Sequence, residues 1–517
     1  MEIEELVKTP KKVEILNSFN EDTQKYFKWF LALTEIPHPT FACYDLSKII
    51  QTWLTKMGVK FEADKNHNIL IHLDSNGMPD TTPTTAIQAH IDMVWVGEYV
   101  NGNIGVSLID GKLVAEKSTL GADDGFGVAL ILELVERRNE IPHPPLELLL
   151  TIDEEMGLIG IKQFPAKDGS SDTNIPILTY KYFINCDALC GESVYIGSSG
   201  GIVYESSFLV NPIPISSIEN FSGKKLVSID LTKCTGGHSG QCIVLGRANA
   251  IKIIGRLLNY LIFNKIEFMI AELNGGEKVN IIAPFCQAKI LVDSSNEDKT
   301  IELLNFYGQK LIKEFVKTDS PDFHISSENS SFLQSKLIDK VLSYEESRKI
   351  ISFITLCPSG VIRMSPLFEK IVDTSNNLSI IKFEGNEVKT MLMSRSITKV
   401  GIDEVDQILR TAYESTGLEV KENIWIAGVP WEANSNSRLA KMMVDTFEEL
   451  YGERKTISVN TVTIEPPQLI ELGYTEGDMI SICPDIPKAH MVGEFMGVED
   501  AMRWRNAVYK LLTKLID

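Results

Sequence analysis

Short apolar runs alternate with helical patterns over the first 190 residues, and this alternation constrains the fold more than any other feature. The runs Thr85–His90, Leu146–Ile152 and Tyr182–Asn185 have the length of buried strands. The segment Thr119–Arg138 has the pattern of a loop that leads into a buried helix. Strands that are separated by helices favour a largely parallel sheet with helices on both faces. The sequence therefore predicts an α/β domain.

The pattern changes after about residue 201, where strand-like runs become more frequent. Runs at Ile266–Leu273 and Ala288–Val292 are followed by two alternating strands near Leu378–Phe383 and Thr390–Ser394. The stretch 317–331 is rich in Ser, Asp and Asn, which is typical of a surface loop. This succession indicates a separate α+β domain inserted into the first. We expect residues 1–205 and 428–517 to form the α/β domain and residues 206–427 to form the insertion.

The charge balance and the cysteines argue against several classes of protein. The 517 residues include 50 Lys+Arg and 70 Asp+Glu, which gives a formal net charge of −20. So acidic a chain is unsuited to nucleic acid or to anionic membranes, which attract basic surfaces. No apolar stretch reaches the ~18 residues of a transmembrane helix, and the amino terminus lacks the apolar core of a secretory signal. None of the eight cysteines forms a Cys-x-x-Cys pair, which favours reduced thiols and a cytoplasmic location.

Histidines and acids stand at the ends of the apolar runs, although each signal is weak alone. A His-x-Asp sequence is common by chance, and the pair Asp123-Asp124 is also what a simple helix cap would show. Three consecutive acids at 153–155 would repel one another unless a positive charge lay beside them; solvated loop acids are the alternative. The segments are His90-Ile91-Asp92, Gly121–Gly125, Asp153-Glu154-Glu155, Asn185-Cys186-Asp187, and His490 with Glu494.

Together these segments predict a metal site. Open α/β sheets place ligand sites at the carboxyl ends of their strands, and the predicted strands end at these side chains. Imidazole and carboxylate ligands in one set suit zinc, manganese or cobalt. Two metal ions need a bridging carboxylate, and they activate water while they polarise a carbonyl. We expect two divalent cations, with zinc as the first candidate and manganese or cobalt as alternatives.

Longer motifs extend the pattern over nearly the whole chain. They are STLGADDGFGVAL, SVYIGSSGG, GGHSG followed by LGRANA, and VNIIAPFCQA. With IPHP at 36–39 and the five segments in this order, the chain resembles the co-catalytic metallopeptidase family that includes carboxypeptidase G, aminoacylase and many di- and tripeptidases. Within that family it is most similar to the branch of aminoacyl-histidine (Xaa-His) dipeptidases.

The resemblance implies a fold and a function. The fold would be a zinc-peptidase-like, three-layer catalytic domain with an inserted α+β lid domain, through which family members often form homodimers. The function would be hydrolysis of short peptides, of the Xaa-His type or broader, by a water molecule that two metals activate. Two alternatives stay open at this point: an N-acyl amino-acid amidohydrolase, and a catalytically silent dimeric binding protein.

The resemblance also implies a set of metal ligands. His90 and Asp187 would bind one metal, and Glu155 and His490 would bind the other. Asp123 would bridge the two metals. Each of these residues belongs to one of the five segments that end an apolar run, so the implied ligand set and the pattern of strand ends point to the same place in the chain.

Five further residues have roles by the same resemblance. Asp92 would orient the neighbouring ligand histidine. Glu154 would be the general base, which takes a proton from the water and later passes it to the leaving amine. His238, in the inserted domain, would stabilise the oxyanion of the tetrahedral intermediate. Asn280 and Arg395 would hold the terminal carboxylate of the substrate, which a guanidinium can do bidentately.

The chain departs from the family pattern at Asp124, in the segment 465–473 and in His490–Glu494, where the family's His-Ser-Pro-Asp-Glu keeps only its His and Glu. Asp124 stands where family dipeptidases usually carry Asn. The segment Glu465–Gly473, with the sequence EPPQLIELG, replaces the His-Ala-Gly-Leu-Glu-Cys-Gly that lines the substrate site in relatives. All of the implied metal ligands are present, so the resemblance predicts an intact metal site beside a changed substrate wall.

Overall fold

The computed structural model describes residues 7–79, 81–170, 175–188, 190–331 and 338–516. The chain divides into two compact units. One unit comprises Met1–Ser198, Trp431–Asn460 and Ile464–Asp517, and the other comprises Ser199–Pro430 and Thr461–Thr463. The boundaries expected from the sequence, after 205 and after 427, stand beside these divisions.

The helices fall into both units, and none among the described residues combines the length and apolar composition that crossing a bilayer requires. In chain order they are α1 (Pro10–Asn17), α2 (Glu21–Leu33), α3 (Tyr44–Lys56), α4 (Ala122–Glu136), α5 (Ile159–Lys162), α6 (Ala250–Phe263), α7 (Glu297–Glu314), α8 (Tyr344–Leu356), α9 (Lys399–Glu414), α10 (Arg438–Tyr451), α11 (Pro466–Glu471) and α12 (Val498–Leu512).

The strands also fall into both units and are numbered in chain order. They are β1 (Lys60–Ala63), β2 (Ile69–Leu73), β3 (Thr85–His90), β4 (Val106–Ile109), β5 (Lys112–Ala115), β6 (Leu146–Thr151), β7 (Tyr182–Asn185), β8 (Ser193–Ser198), β9 (Gly200–Leu209), β10 (Ile213–Pro214), β11 (Lys224–Thr232), β12 (Phe268–Gly275), β13 (Cys286–Asp293), β14 (Asp322–Asn329), β15 (Lys340–Val341), β16 (Gly360–Met364), β17 (Val372–Glu384), β18 (Glu387–Ser396), β19 (Val420–Gly428), β20 (Thr456–Asn460), β21 (Asp478–Ser481) and β22 (Phe495–Gly497).

The first unit is built on a mixed sheet whose strand order, over the described residues, is β1-β2-β6-β3-β7-β21-β8-β20. β3 lies between β6 and β7 and runs parallel to both. Every residue of β3, β6, β7 and β8 is buried, so both faces of the sheet are covered. The predicted α/β class, with a parallel centre between two outer layers, is confirmed.

Helix α4 is buried along nearly its whole length and carries two acids at its amino end. Its residues from Ala122 to Val135 are buried, and it packs against α2 and β3. A helix that is apolar on every side must be covered on every side, which places α4 in the interior of the first unit. Asp123 and Asp124 depart from helical backbone angles. The amino end of α4 can therefore present carboxylates inside the protein.

The second unit is built on an antiparallel sheet in the order β14-β11-β13-β12-β17-β18-β9-β19, with β16 paired to β17. Helix α6 packs against α7, α8, β13 and β17, and its apolar residues belong to the main core of this unit. Its start is capped by Asn249, whose side chain accepts the N–H of Lys252. This is the α+β arrangement that the sequence predicts for the insertion.

The surface loop expected over 317–331 is wrong for its second half. Asp322–Asn329 forms β14, which pairs antiparallel with β11 over its full length. β14 is the last strand of the sheet, and its side chains are exposed or half-buried. An edge strand needs a partner on one side only, so its polar side chains stay in water while its backbone is paired. The polar composition therefore concealed a strand.

Candidate metal centre

Three parallel neighbours bring the predicted residues to one edge of the sheet in the first unit. His90 ends β3, Asp187 follows β7, and Glu154 and Glu155 follow β6. Because β6, β3 and β7 are parallel, their carboxyl ends meet at the same edge. Two groups of side chains there could hold a cation, each with its ligand atoms within 4.8 Å of one another: His90 with Glu154 and Asp187, and His90 with Asp123 and Glu155.

Asp123 lies between two histidines. Its Oδ1 is 3.1 Å from Nε2 of His90, and its Oδ2 is 2.9 Å from Nε2 of His490. His490 lies nine residues after the end of β21, and it reaches the same edge with a left-handed backbone, at a φ of 63°. The two oxygens of one carboxylate therefore face two different imidazoles. A carboxylate that bridges two cations needs this arrangement.

The cluster around His490 has more acceptors than donors. Nε2 of His490 also lies 2.9 Å from Oε1 of Glu155, yet that buried oxygen makes no hydrogen bond. A ring nitrogen carries at most one hydrogen, and Oδ2 of Asp123 already faces it. A divalent cation would bind the nitrogen and both carboxylates at once. These atoms fit a metal better than they fit a network of hydrogen bonds.

Asp92 contacts His90 through its backbone rather than through its carboxylate. Nδ1 of His90 is 2.9 Å from the carbonyl oxygen of Asp92 and 3.6 Å from its Oδ1. Donation from Nδ1 leaves the lone pair of Nε2 directed at the cluster. The carboxylate instead accepts the N–H of Glu154 at 2.9 Å and the hydroxyl of Thr40 at 2.8 Å. Asp92 thus orients His90 and holds the backbone of the expected base.

Burial controls the protonation of most acids in the cluster. It raises the pKa values of Asp124, Glu154, Glu155 and Asp187, and neighbouring carboxylates add to the increase. Buried acids this close together can all be ionised only if a positive charge lies among them. The set therefore has the charge and the burial of a site for divalent cations.

Asp123 is the exception among these acids. Burial alone would raise its pKa, but hydrogen bonds with His490 and His90 hold the pKa below its usual range. In return, although burial works against it, contact with Asp123 and Glu155 raises the pKa of His490 to about 11. Protons on the histidines thus supply the positive charge when no cation does. Metal binding at these nitrogens must release those protons.

Glu494 fixes the loop in front of α4. Its carboxylate accepts the backbone N–H groups of Leu120 at 3.0 Å and Ala122 at 2.8 Å. Burial raises the pKa of Glu494 to about 7. Between the two donors, Gly121 has a φ of 72°, in the left-handed region that favours glycine. The contact holds the segment that presents Asp123 to the cluster.

Asp153 attaches a loop to the cluster, a contact that no local pattern indicates. Its carboxylate accepts the backbone N–H of Phe41 at 2.7 Å and the hydroxyl of Tyr44 at 3.0 Å. These donors follow the IPHP motif, over 100 residues earlier in the chain. Of the three consecutive acids, Asp153 therefore has a structural use, and Glu154 and Glu155 are left for the cluster.

Two of the residues implied for the lid lie close together in the second unit. Nδ1 of His238 accepts the backbone N–H of Gly240 at 3.2 Å, so the neutral ring carries its hydrogen on Nε2. The carbonyl oxygen of Asn280 accepts the N–H of Ser239 at 2.8 Å, which places Asn280 beside the His238 loop. The side chain of Asn280 belongs to an exposed residue. Nε2 of His238 is thus the donor that the ring can offer.

Arg395 ends close to the same loop. A Cβ on Gly240 would lie 3.1 Å from Cε1 of His238 and 3.3 Å from Nε of Arg395. The guanidinium is buried, its Nε has no hydrogen-bond partner, and Nη1 reaches the hydroxyl of Thr463 only at 3.5 Å. Burial lowers the pKa of Arg395 to about 10. A buried guanidinium with an unused donor fits an anionic ligand.

The segment that departs from the family pattern lies inside the first unit. Pro466–Glu471 forms α11, and residues 464–469 are all buried. Prolines at the first positions of a helix lose no hydrogen bond and have a favourable φ. Glu465, just before the helix, contacts Gln88 and Thr151 on β3 and β6. The first half of the changed segment therefore packs beneath the cluster, whereas Glu471 and Gly473 near its end are exposed.

The chain is similar to known proteins along most of its length. A family model described as peptidase family M20/M25/M40 matches residues 86–514. The cytosol non-specific dipeptidase of Escherichia coli (strain K12) is 28% identical over 495 residues, 94% of this chain and 96% of that protein. The crystal structure of aminoacylhistidine dipeptidase from Vibrio alginolyticus has a TM-score of 0.78 and 27% identity, covering 97% of this chain and 98% of that one. A tripeptidase from Staphylococcus aureus has the same fold, with a TM-score of 0.55 at 14% identity over 95% of this chain and 98% of that one.

Proposed function

The chain belongs to peptidase family M20/M25/M40, and from that premise we propose that it is a metal-dependent dipeptidase that hydrolyses short peptides with a free carboxylate. The observation that carries the proposal is Asp123, whose two oxygens face two different histidines within a buried acidic cluster. The full-length relatives are dipeptidases by name. They favour this function over an N-acyl amidohydrolase or a silent binding protein.

The ligand set we propose follows the contacts of the cluster. His90 and Asp187 bind one divalent cation, Glu155 and His490 bind the other, and Asp123 bridges them. The unpaired Oε1 of Glu155 and the two carboxylates that face one nitrogen of His490 support this set. Imidazole with carboxylate suits zinc, and manganese or cobalt are alternatives. When bound, the cations supply an activated water and polarise the scissile carbonyl.

Glu154 acts as the general base in this proposal. Its side chain is buried, and its backbone N–H is held by the carboxylate of Asp92 at 2.9 Å. Burial raises the pKa of Glu154, which brings a carboxylate closer to the pH at which base and acid forms can both serve. The side chain takes a proton from the attacking water and gives it to the leaving amine. Asp92 keeps it in place while the proton moves.

The second unit supplies the groups that bind the substrate. Nε2 of His238 donates a hydrogen bond to the oxyanion, because Nδ1 is already an acceptor. Arg395 holds the terminal carboxylate through the donor that has no partner in the protein. Asn280 assists as an amide donor from an exposed position. In each of these roles the residue acts as a hydrogen-bond donor to the substrate.

We expect a peptide panel to separate this function from its neighbours. The zinc- or manganese-loaded protein should cleave β-alanyl-histidine and ordinary α-dipeptides, and chelation should stop the reaction. Dipeptide amides should be cleaved about 10- to 100-fold less efficiently, because a charge-assisted hydrogen bond to Arg395 is lost. N-acetyl amino acids and a tripeptide complete the panel. Cleavage of N-acetyl amino acids alone would identify an amidohydrolase, and no cleavage with metal bound would favour a binding protein.

We also propose that the protein is a cytoplasmic homodimer that pairs through the second unit. β19 is the edge strand of that unit's sheet, and it exposes Ile424, Trp425 and Ile426 at 37%, 43% and 56%. An apolar edge strand offers unpaired backbone groups that a second copy can bind. The cytosolic relative and the free thiols of all eight cysteines support the location.

Introducing a charge on this edge should separate the dimer. Ile426→Lys is expected to shift the mass in solution, measured by light scattering, from two chains to one, since a lysine opposes edge-to-edge pairing. His324→Lys is the matched control, because His324 lies on β14 at the other edge of the same sheet. A wild-type protein with the mass of one chain would contradict the proposal.

A further inference from the structure

We propose that Glu465 is a positioning residue for the metal centre: through Gln88 and Thr151 it fixes the ends of the two strands that lead to His90 and Glu154. The proposal rests on the ligand set proposed above. It gives a use to the segment that departs from the family pattern, because Glu465 is the first residue of that segment. Glu465 is not a ligand, and it acts only through its neighbours.

The carboxyl group of Glu465 joins two neighbouring strands. Its Oε2 accepts a hydrogen bond from Nε2 of Gln88 on β3 and another, at 2.8 Å, from the hydroxyl of Thr151 on β6. Nε2 of Gln88 also lies 3.1 Å from the hydroxyl oxygen of Thr151. All three residues are 0% exposed. In the parallel register Thr151 pairs with His90, so this link lies directly before the cluster.

The link continues across the sheet to Asp187. Oε1 of Gln88 accepts a hydrogen bond from Nδ2 of Asn185 on β7. Oδ1 of Asn185 accepts the backbone N–H of Asp187 at 3.3 Å, and the hydroxyl of Ser481 lies 3.0 Å from the carbonyl oxygen of Asp187. One buried polar chain thus runs from Glu465 through β6, β3, β7 and β21. Its last members contact the backbone N–H and the carbonyl oxygen of Asp187, a proposed ligand.

The placement of these polar side chains is the reason to assign them a positioning role. Buried polar side chains in a sheet centre cost free energy unless they are paired. Here they occupy neighbouring strands at one level, within a few residues of His90, Glu154 and Asp187. Side chains that hydrogen-bond to metal ligands, without touching the metal, set the orientation of those ligands. Loss of such a side chain typically weakens metal binding or activity 10- to 100-fold. A network that served only stability could lie anywhere along these strands, whereas this one lies next to the proposed ligands.

Glu147 offers a matched control for this proposal. It is a buried carboxylate on β6, the same strand as Thr151, but at the opposite end. Its carboxylate accepts hydrogen bonds from the backbone N–H and from the hydroxyl of Thr179, both at 2.8 Å. The two glutamates therefore have similar burial and similar partners. Only Glu465 stands next to the cluster.

The test is metal affinity, measured on metal-stripped protein by competition with a zinc chelator, with thermal unfolding of each variant as the second readout. We expect Glu465→Ala to weaken zinc binding 10- to 100-fold. Glu465→Gln should stay within a few-fold of the wild type, because an amide oxygen can accept both hydrogen bonds and the oxygen it replaces with NH2 has no partner. Glu147→Ala should lower the unfolding temperature and leave zinc affinity unchanged.

Thr151→Val tests the same link if Glu465→Ala does not fold. Valine has nearly the shape of threonine and removes only the hydroxyl that donates to Glu465, so we expect about 10-fold weaker zinc binding. Wild-type affinity in both Thr151→Val and the folded Glu465 variants would overturn the positioning role, as would equal weakening by Glu147→Ala. Failure of the wild type itself to bind zinc, manganese or cobalt would overturn the proposed function together with this inference.

Discussion

Glu154→Gln is expected to lose turnover by about 10²- to 10⁴-fold while it keeps its metal, because an amide cannot take the proton of the attacking water. The substitution preserves the volume of the side chain, and the backbone contact from Asp92 to residue 154 is unaffected by it. KM for the dipeptide should change little, since Glu154 is assigned to the proton transfer and not to ground-state binding. Steady-state kinetics and the zinc content of the same preparation give both numbers.

The control for this variant is Glu147, which lies near the start of β6, the strand that Glu154 follows. Glu147→Gln makes the same chemical change in a buried residue whose partners belong to Thr179. It should turn over dipeptides at the wild-type rate. Near-normal turnover by Glu154→Gln would remove Glu154 from the role of base. Loss of metal along with turnover would instead make it a ligand, which one of the two groups of close side chains would also accommodate.

Asp123→Ala is expected to impair both metal sites at once and to reduce hydrolysis to the level of the chelated enzyme. Asp123 is the only residue in the proposed ligand set that serves both cations, and each of its two oxygens faces a different histidine. Removing a carboxylate from a buried set of acids and imidazoles should weaken zinc binding by more than the 10- to 100-fold typical of an outer partner. Equilibrium dialysis followed by elemental analysis measures the occupancy per chain.

Asp64→Ala is the matched control for the loss of a buried carboxylate. Asp64 is also buried in the first unit, where it accepts hydrogen bonds from the backbone and side chain of Asn68. We expect this variant to be less stable and to bind two metals per chain. A full complement of metal in Asp123→Ala would refute the bridge. The loss of one metal with the other retained would reduce Asp123 to a ligand of a single site.

Elements with a clear apolar period and a clear end were predictable from the sequence. The apolar runs expected as buried strands are β3, β6 and β7, and the segment Thr119–Arg138 contains the buried helix α4. A strand end is also a local signal, so the acids after β6 and β7 were expected at one edge before the sheet order was known. The expectation for 317–331 was wrong because a strand at a sheet edge can be polar on both faces.

Contacts between distant parts of the chain were not predictable from one sequence. Glu465 and Gln88 are 377 residues apart, and Asp153 and Phe41 are 112 apart. Nothing in the spacing of either pair indicates that they meet, because sequence separation carries no information about tertiary neighbours. The proposed ligands could be recognised because they belong to motifs. Glu465 and Gln88, which we propose hold them in place, belong to none.

The position of β21 in the sheet has a consequence for biosynthesis. β21 is formed by residues 478–481 and lies between β7 and β8, which are made almost 300 residues earlier. Until the ribosome has released that strand, the nascent chain has a gap in the centre of its main sheet. His490 and Glu494 emerge later still. A chain that stops at residue 470 would still have that gap in its sheet and would lack His490, one of the proposed ligands.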